Sequence, residues 1–373
     1  MNAEALKPWP EADPSILAPV PERDDLREVV RQLIERKADH KSVRAATETT
    51  IGYSVELWTQ LNGDLEVSSM LIPEALGGSG FGLREIAIVL EETGAALLPE
   101  PLLSSAVLGA SALSAADDSE VVRSVLGELA SGKKLVTVAL EDNIVMAEED
   151  ATGWTMSGHL PRVLHGGAAD SVVVNAGSSG FFLIDANAVG VTVVAPEILD
   201  STRRQVRVVL DKVQALRIVG PERTESVHQT LQTLQTIAVA SEHVGIIDRA
   251  LKLTTVYVQE RHQFGRAIGS FQAIKHRLAD VLVDLQRARS AANYAAAVFD
   301  EDPSAAELPG RIAGAVCTDA VIRATHEMVQ LHGGIGFTWE HPAHVYVRRA
   351  LGDEALFADG RTHRSHVARL IGV

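Results

Sequence analysis

Two clusters in the last third of the chain carry residue types that could do chemistry. The first reads Glu260-Arg261-His262-Gln263-Phe264-Gly265-Arg266-Ala267-Ile268-Gly269-Ser270-Phe271-Gln272. That chemistry is anion binding. Arg261 offers a planar fork of donors, Gly265 and Gly269 permit close backbone approach, and free N–H groups where the next helix starts attract phosphate. Gln272 adds a neutral hydrogen-bonding group. A helix–helix turn with solvated arginines accounts for the same residue types without any ligand. The second cluster reads Gln330-Leu331-His332-Gly333-Gly334-Ile335-Gly336-Phe337-Thr338-Trp339-Glu340-His341-Pro342. It matches the phosphate-cradling G-x-G-x-x-G loop only superficially, because no strand precedes it. A glycine-rich helix stop is its simpler account.

Other chemistry has less support. Thirteen histidines invite a metal site, and His341/His344 and His363/His366 share i, i+3 spacing. No ligand pattern of carboxylates and histidines accompanies them, so no metal is expected. Ser104-Ser105 and Ser178-Ser179 lack a G-x-S-x-G elbow, which argues against serine hydrolysis. A single cysteine, Cys317, excludes an internal disulfide and thiolate-built metal clusters, and reads as a small buried hydrophobe. Lys+Arg 34 against Asp+Glu 49 gives −15. Nucleic acid and anionic membrane surfaces are poor partners for such a chain, because phosphate needs clustered cations. Met1 to Pro21 is acidic and proline-rich, without the basic and apolar regions of a secretory signal. The most apolar stretch, Leu102–Ala116, is too short to span a bilayer and holds four serines. A cytoplasmic location without membrane insertion is expected.

The elements that must position the two clusters follow from periodicity. With 373 residues, two or three domains are expected. A tail at 1–22 precedes a helical domain at 23–132. There Leu26, Val29, Val30, Leu33 and Ile34 repeat at helical spacing after a possible cap at Asp24-Asp25, and Leu83–Ala96 repeats again. The period shifts at 133–222. Short β-branched runs at 135–140, 171–174, 180–184, 191–194 and 205–210, without helices between them, predict an antiparallel sheet or barrel. At 223–373 helix returns in four long segments, 223–260, 268–299, 304–332 and 341–372, which predict an antiparallel four-helix bundle. The fold class is α+β: an N-terminal helical domain, a middle antiparallel β-barrel and a C-terminal four-helix bundle.

Several motifs together resemble one family. Arg261 to Gln272, followed by Leu278-Ala279-Asp280, is similar to the R-x-Q-F-G-x-x-I-x-x-F-Q…L-A-D signature of the acyl-CoA dehydrogenases. Gln330–Pro342 resembles that family's Q-x-x-G-G-x-G-F-T-x-E-H-P, and Ile72-Pro73-Glu74…Gly77-Gly78-Ser79-Gly80 its I-P-E-x-x-G-G-S-G loop. The three occur in family order over a matching layout and cover nearly the whole chain. The resemblance implies FAD bound between subunits, an acyl-CoA substrate from fatty-acid or steroid side-chain breakdown, and an electron-transfer acceptor protein. It places Arg261, Phe264 and Gln272 on the cofactor's pyrophosphate and adenosine half. It places Gln330, Leu331, His332, Gly333 and Gly334 of a neighbouring chain there too.

The sequence also departs from the family. An α-proton must be taken by a carboxylate base in a site closed to water. Typical members carry that glutamate in a late E-G-T segment after R-D-A-x-x. Here the region runs Arg348-Arg349-Ala350 to Phe357-Ala358-Asp359-Gly360, and Asp359 is the nearest carboxylate, after a two-residue shift. Some relatives place the base on the first bundle helix, where this chain has Gln235. Glu242 lies seven residues on, near the same helix face. The family's T-E-P-x-A-G-S-D loop is replaced by Val138-Ala139-Leu140-Glu141-Asp142-Asn143. Gly153–Gly158 resembles the strand leading to the W-I-T segment, but Arg162-Val163-Leu164-His165-Gly166-Gly167 follows. The sequence therefore resembles the supporting chain of heteromeric steroid-type enzymes, whose partner supplies the base. Two alternatives stand: a self-sufficient homotetramer using Asp359 or Glu242, and a non-catalytic scaffold subunit.

Overall fold

The helical pattern at the start of the chain becomes helix, but prolines and serines open the helices more than the acidic pair does. The computed structural model describes residues 14–140, 143–151 and 153–373. The first thirteen residues of the expected tail, and Glu141-Asp142 of the altered loop, lie outside them. Helix α1 spans Pro21–Lys37, with Pro21 in the first turn, where a missing N–H loses no intrahelical bond. Asp24 sits inside that turn, favoured by the positive helix end. Helices α2 (His40–Glu48), α3 (Val55–Leu65) and α4 (Leu83–Ala95) follow. The Ser54 hydroxyl caps α3 by accepting the Leu57 amide. A π-helical stretch, Leu102–Gly109, leads into α5 (Ala110–Ser114), and α6 covers Glu120–Ala130.

Seven strands then build one sheet: β1 (Val136–Ala139), β2 (Ile144–Asp150), β3 (Gly153–Leu164), β4 (Ser171–Asn175), β5 (Phe181–Asp185), β6 (Val191–Val194) and β7 (Gln205–Val219). The order is β1-β4-β5-β7-β3-β2, with β6 also on β7. The expected barrel is corrected here on two counts. Among the described residues no ladder joins β1 to β2, so the sheet stays open, and the β1–β4 pair is parallel. The physical reason lies beside β1. The Val136 amide donates to the Ser105 hydroxyl at 3.2 Å, and a Cβ on Gly109 would stand 2.2 Å from the Val136 carbonyl oxygen. The π-helical stretch thus lies against the strand that closure would have to pair. β2 and most of β3 fall outside the runs that the sequence marks as strands.

Helix α7 runs from Pro221 to Glu260. A two-strand hairpin follows, β8 (His262–Gln263) and β9 (Arg266–Ala267), then α8 (Gln272–Glu301), α9 (Glu307–His332), α10 (Ala343–Phe357) and α11 (Gly360–Leu370). The expected fourth bundle helix is therefore two helices, broken at Ala358, whose φ of 93° no helix accommodates. Among the described residues no helix is long and apolar enough to cross a membrane.

The chain divides into two compact units. One holds Arg44–Ile86 and Pro99–Gln235, the other the chain up to Val43, Ala87–Leu98 and Thr236–Val373. The sheet unit buries Met156, Leu160, Val163, Val172, Phe182, Ile184 and Val208 in one apolar cluster. The bundle unit packs α8 and α9 through small residues, among them Ala288, Ala292 and Ala295 against Ala313, Ala320 and Ala324. There α4 and α7 also cross closely. A Cβ on Gly245 would meet the Glu91 carbonyl oxygen at 1.8 Å, and one on Gly94 would meet that of Glu242 at 2.6 Å.

Candidate functional site

The Arg261–Gln272 segment is a display device. The Arg261 amide still donates to the Tyr257 carbonyl at 2.8 Å, and its own carbonyl accepts the Ile268 amide at 2.8 Å, which closes the hairpin base. Phe264 and Gly265 form its two-residue turn, with φ of 55° and 77°. Both being positive is the primed-turn geometry that suits the right-handed twist of a hairpin. A phenylalanine there is strained by roughly 1–2 kcal/mol, and its ring is 90% exposed. Backbone strain of this kind clusters at ligand-contacting sites. Arg266 folds back, its guanidinium carbon 3.9 Å from the centre of the Phe271 ring. Arg261 is exposed, and among the described residues no carboxylate pairs with it. Gln272 opens α8 and is exposed; Phe271 before it supplies no side-chain cap, so the amides of Gln272 and Ala273 stay open, while that of Ile274 donates to the Phe271 carbonyl at 3.1 Å.

The second segment ends α9. Gln330 is exposed, Leu331 is half-buried, and His332 is only 3% exposed. Gly333 turns left-handed at φ 61°, and a Cβ on Gly333, Gly334 or Gly265 would meet nothing within 4 Å. Beyond, Phe337 is 75% exposed. The two segments start from touching helix ends: the Tyr257 ring stacks on His332 at 4.3 Å, and its hydroxyl donates to the His332 carbonyl at 3.3 Å. Free guanidinium, open amides, an exposed ring and uncrowded glycine backbone fit a nucleotide diphosphate tail.

The flavin ring is a different matter. Val163 lies inside the apolar cluster of the sheet, and Leu164 is buried too. Val138, Ala139 and Leu140 are likewise buried. Neither stretch has a hydroxyl to offer a ring, and these two stretches do not fit that half of the cofactor.

The two base candidates have other surroundings. Asp359 caps α11, accepting the Thr362 amide at 2.7 Å, and these bonds hold its carboxyl below the usual range. It stands two residues after Phe357, and the left-handed Ala358 occupies the conformation a glycine would fill best. In backbone terms an E-G pair therefore falls on Phe357-Ala358, and Phe357 brings no proton acceptor. Glu242 is buried on α7, with its backbone packed under Gly94 of α4. Gln235 is half-buried on the same helix.

Sequence reasoning missed three groupings. The hairpin had a faint signal, an X-Gly pair between short runs. The histidine stack around His332 and His341, whose rings lie 4.1 Å apart, had none. Nor did the pair of His243 Nε2 and Asp353 Oδ2, 3.4 Å apart and both deeply buried. Among the described residues no group of three or more His, Cys, Asp or Glu could hold a metal ion.

Comparison with known proteins places this architecture. The family model for the acyl-CoA dehydrogenase N-terminal domain matches residues 20–133, and that for the C-terminal domain matches 227–371. The chain belongs to the acyl-CoA dehydrogenase family, a class of FAD-dependent oxidoreductases. It is 34% identical over 342 residues to acyl-CoA dehydrogenase IpdE2 of Mycolicibacterium smegmatis, covering 91% of this chain and 96% of that one. Among solved structures it resembles the ChsE4-ChsE5 complex from Mycobacterium tuberculosis, with TM-score 0.86, 29% identity and coverage of 95% and 98%. It also resembles a Tcur3481-Tcur3483 steroid ACAD variant, with TM-score 0.85, 27% identity and coverage of 94% and 98%.

Proposed function

We propose that this chain is the supporting subunit of a hetero-oligomeric, FAD-dependent acyl-CoA dehydrogenase whose partner chain supplies the catalytic base. One observation carries this reading: the turn expected to hold the base presents Phe357-Ala358, and the carboxylate beside it, Asp359, caps a helix. A homo-oligomer repeats that turn in every copy and repairs nothing, whereas a second, related chain can. Both solved neighbours named above are described as pairs of chains, and one of them as a steroid enzyme, which supports the same reading and an acyl-CoA with a bulky side chain.

In this reading Arg261 neutralises the diphosphate, Phe264 and Gln272 reach the adenosine half, and the backbone from Gln330 to Gly334 of a neighbouring chain completes the hold on the nucleotide tail. The chemistry that bound flavin would supply is an acceptor for the hydride of the substrate's β-carbon. This chain's own residues bind and orient that tail; the proton from the α-carbon goes to a carboxylate of the partner. An electron-transfer protein then reoxidises the complex. A cytoplasmic setting is consistent with the net charge of −15.

The test is purification of this chain alone and together with a related acyl-CoA dehydrogenase chain encoded beside it. The lone chain is expected to be nearly inactive in dye-coupled acyl-CoA oxidation, and the pair active and yellow. Full activity of the lone chain would transfer the base role to Glu242, the buried carboxylate on α7. An assembled pair that is colourless and binds no acyl-CoA would leave this chain a scaffold.

A further inference from the structure

Tyr257, His332 and His341 form a three-ring stack inside the bundle unit. The ring centres are 4.3 Å apart for Tyr257–His332 and 4.1 Å for His332–His341, with 24° and 33° between the planes. Each ring comes from a different stretch. Tyr257 stands one turn before the hairpin, His332 ends α9, and His341 lies beyond the glycine turn.

The hydrogen bonds fix where the protons sit. His332 Nδ1 is 2.7 Å from the Met328 carbonyl, which can only accept, so Nδ1 carries the hydrogen. Its Nε2 is then the bare nitrogen, buried and without a hydrogen-bond partner among the described residues. His341 Nδ1 accepts the Ala343 amide at 3.2 Å, so this ring, while neutral, is protonated on Nε2. The Ala343 amide thus disfavours a charged His341, whereas for His332 the Met328 carbonyl favours the proton and it is burial of the ring that opposes the charge. A further proton on His332 Nε2 would point into a buried space that offers no acceptor. The groups facing the stack make matters worse. His40 on α2 and His344 on α10 act on His341 alongside His332. His344 in turn stands edge-on to Trp339 at 4.5 Å, with the Arg348 guanidinium 5.4 Å from the centre of the Trp339 ring. Among the described residues no carboxylate acts on either ring.

We propose that this stack is a pH-operated latch: while both histidines are uncharged it pins the glycine turn Gly333–Phe337 to the end of α7, and protonation releases the turn. His332 is then the positioning residue for that turn. Burial lowers the proton affinity of His332, and burial with the neighbouring histidines pushes His341 down to about 4 from the ordinary 6.5. A released histidine titrates near its ordinary value. The latch is therefore fully closed above about pH 7 and weakens as pH falls from 6.5 towards 4. The device belongs to this chain's own turn and stands whether or not a nucleotide lies on it.

Amide hydrogen exchange of the full chain at pH 7.5 and pH 5.0, corrected for intrinsic rates, tests it. Protection of peptides covering 330–345 should fall on the order of tenfold at pH 5.0 relative to peptides of α8, as a shift of this size requires. H341F keeps a ring in the stack without its titration, and should shrink that fall; H332F/H341F should abolish it. If the double variant does not fold, H341F alone decides. Equal protection at both pH values in the wild type, or an undiminished fall in H341F, overturns the latch.

Discussion

Asp359 accepts the amide of Thr362 and thereby serves the first turn of α11. Its removal should cost stability and little chemistry. Asp359→Ala is expected to lower the unfolding free energy by about 1 kcal/mol in urea titration. Turnover of the assembled enzyme should change far less than the hundredfold or more that loss of a general base brings. A drop of that size would restore Asp359 as the base. Glu100, in the sheet unit, makes a second residue-scale prediction. It is 4% exposed, with one oxygen accepting the Ser54 amide at 3.2 Å and the other without a partner among the described residues. Burial raises it from the ordinary 4.5 to about 7. The folded chain holds that proton longer than the unfolded chain. Its contribution is thus complete below pH 4.5 and is lost as pH rises through 7, by up to about 3 kcal/mol. Glu100→Gln should match the wild type at pH 4.5 and exceed it in stability at pH 8. Parallel pH–stability curves would show that the carboxyl is not sealed off.

The crossing of α4 and α7 rests on two glycines. Gly245→Ala drives a methyl group into the Glu91 carbonyl, which belongs to rigid helix backbone, and should destabilise by about 2–3 kcal/mol in thermal or urea unfolding; a change under about 0.5 kcal/mol would mean that the helices can part freely. Elements of this kind were largely legible in the sequence. The long helices α7, α8 and α9 carry few breakers, so local pattern and tertiary packing agree, and the motif residues Arg261, Gln272 and Gly333 fell at helix ends as expected. What the sequence concealed was tertiary. The sheet stays open because Ser105 and Gly109 pack against β1, a contact between residues about 30 positions apart in the chain. The break at Ala358 is signalled only by the Asp359 cap and Gly360 that follow it, since alanine itself is a strong helix former. Phe264 at a left-handed position breaks the usual turn rule, and such breaches concentrate where a residue is displayed for contact. The His332–His341 stack joins two positions by a fold that no spacing announces.

At the scale of the molecule, a chain of net charge −15 can hold a dianionic cofactor only where cations are left locally unpaired. Arg261 is such a cation, one turn from the Tyr257–His332 contact that ties the two motif segments together. The Phe357-Ala358 turn supplies no base, and in the proposed reading a partner chain would take the proton. This chain's contribution to catalysis would be the grip on the nucleotide tail. The most direct measurement is the flavin content of the two-chain complex carrying Arg261→Ala, with association of the chains followed by size-exclusion chromatography. The account predicts an intact complex that has lost most of its FAD. Wild-type flavin stoichiometry in that variant would contradict it.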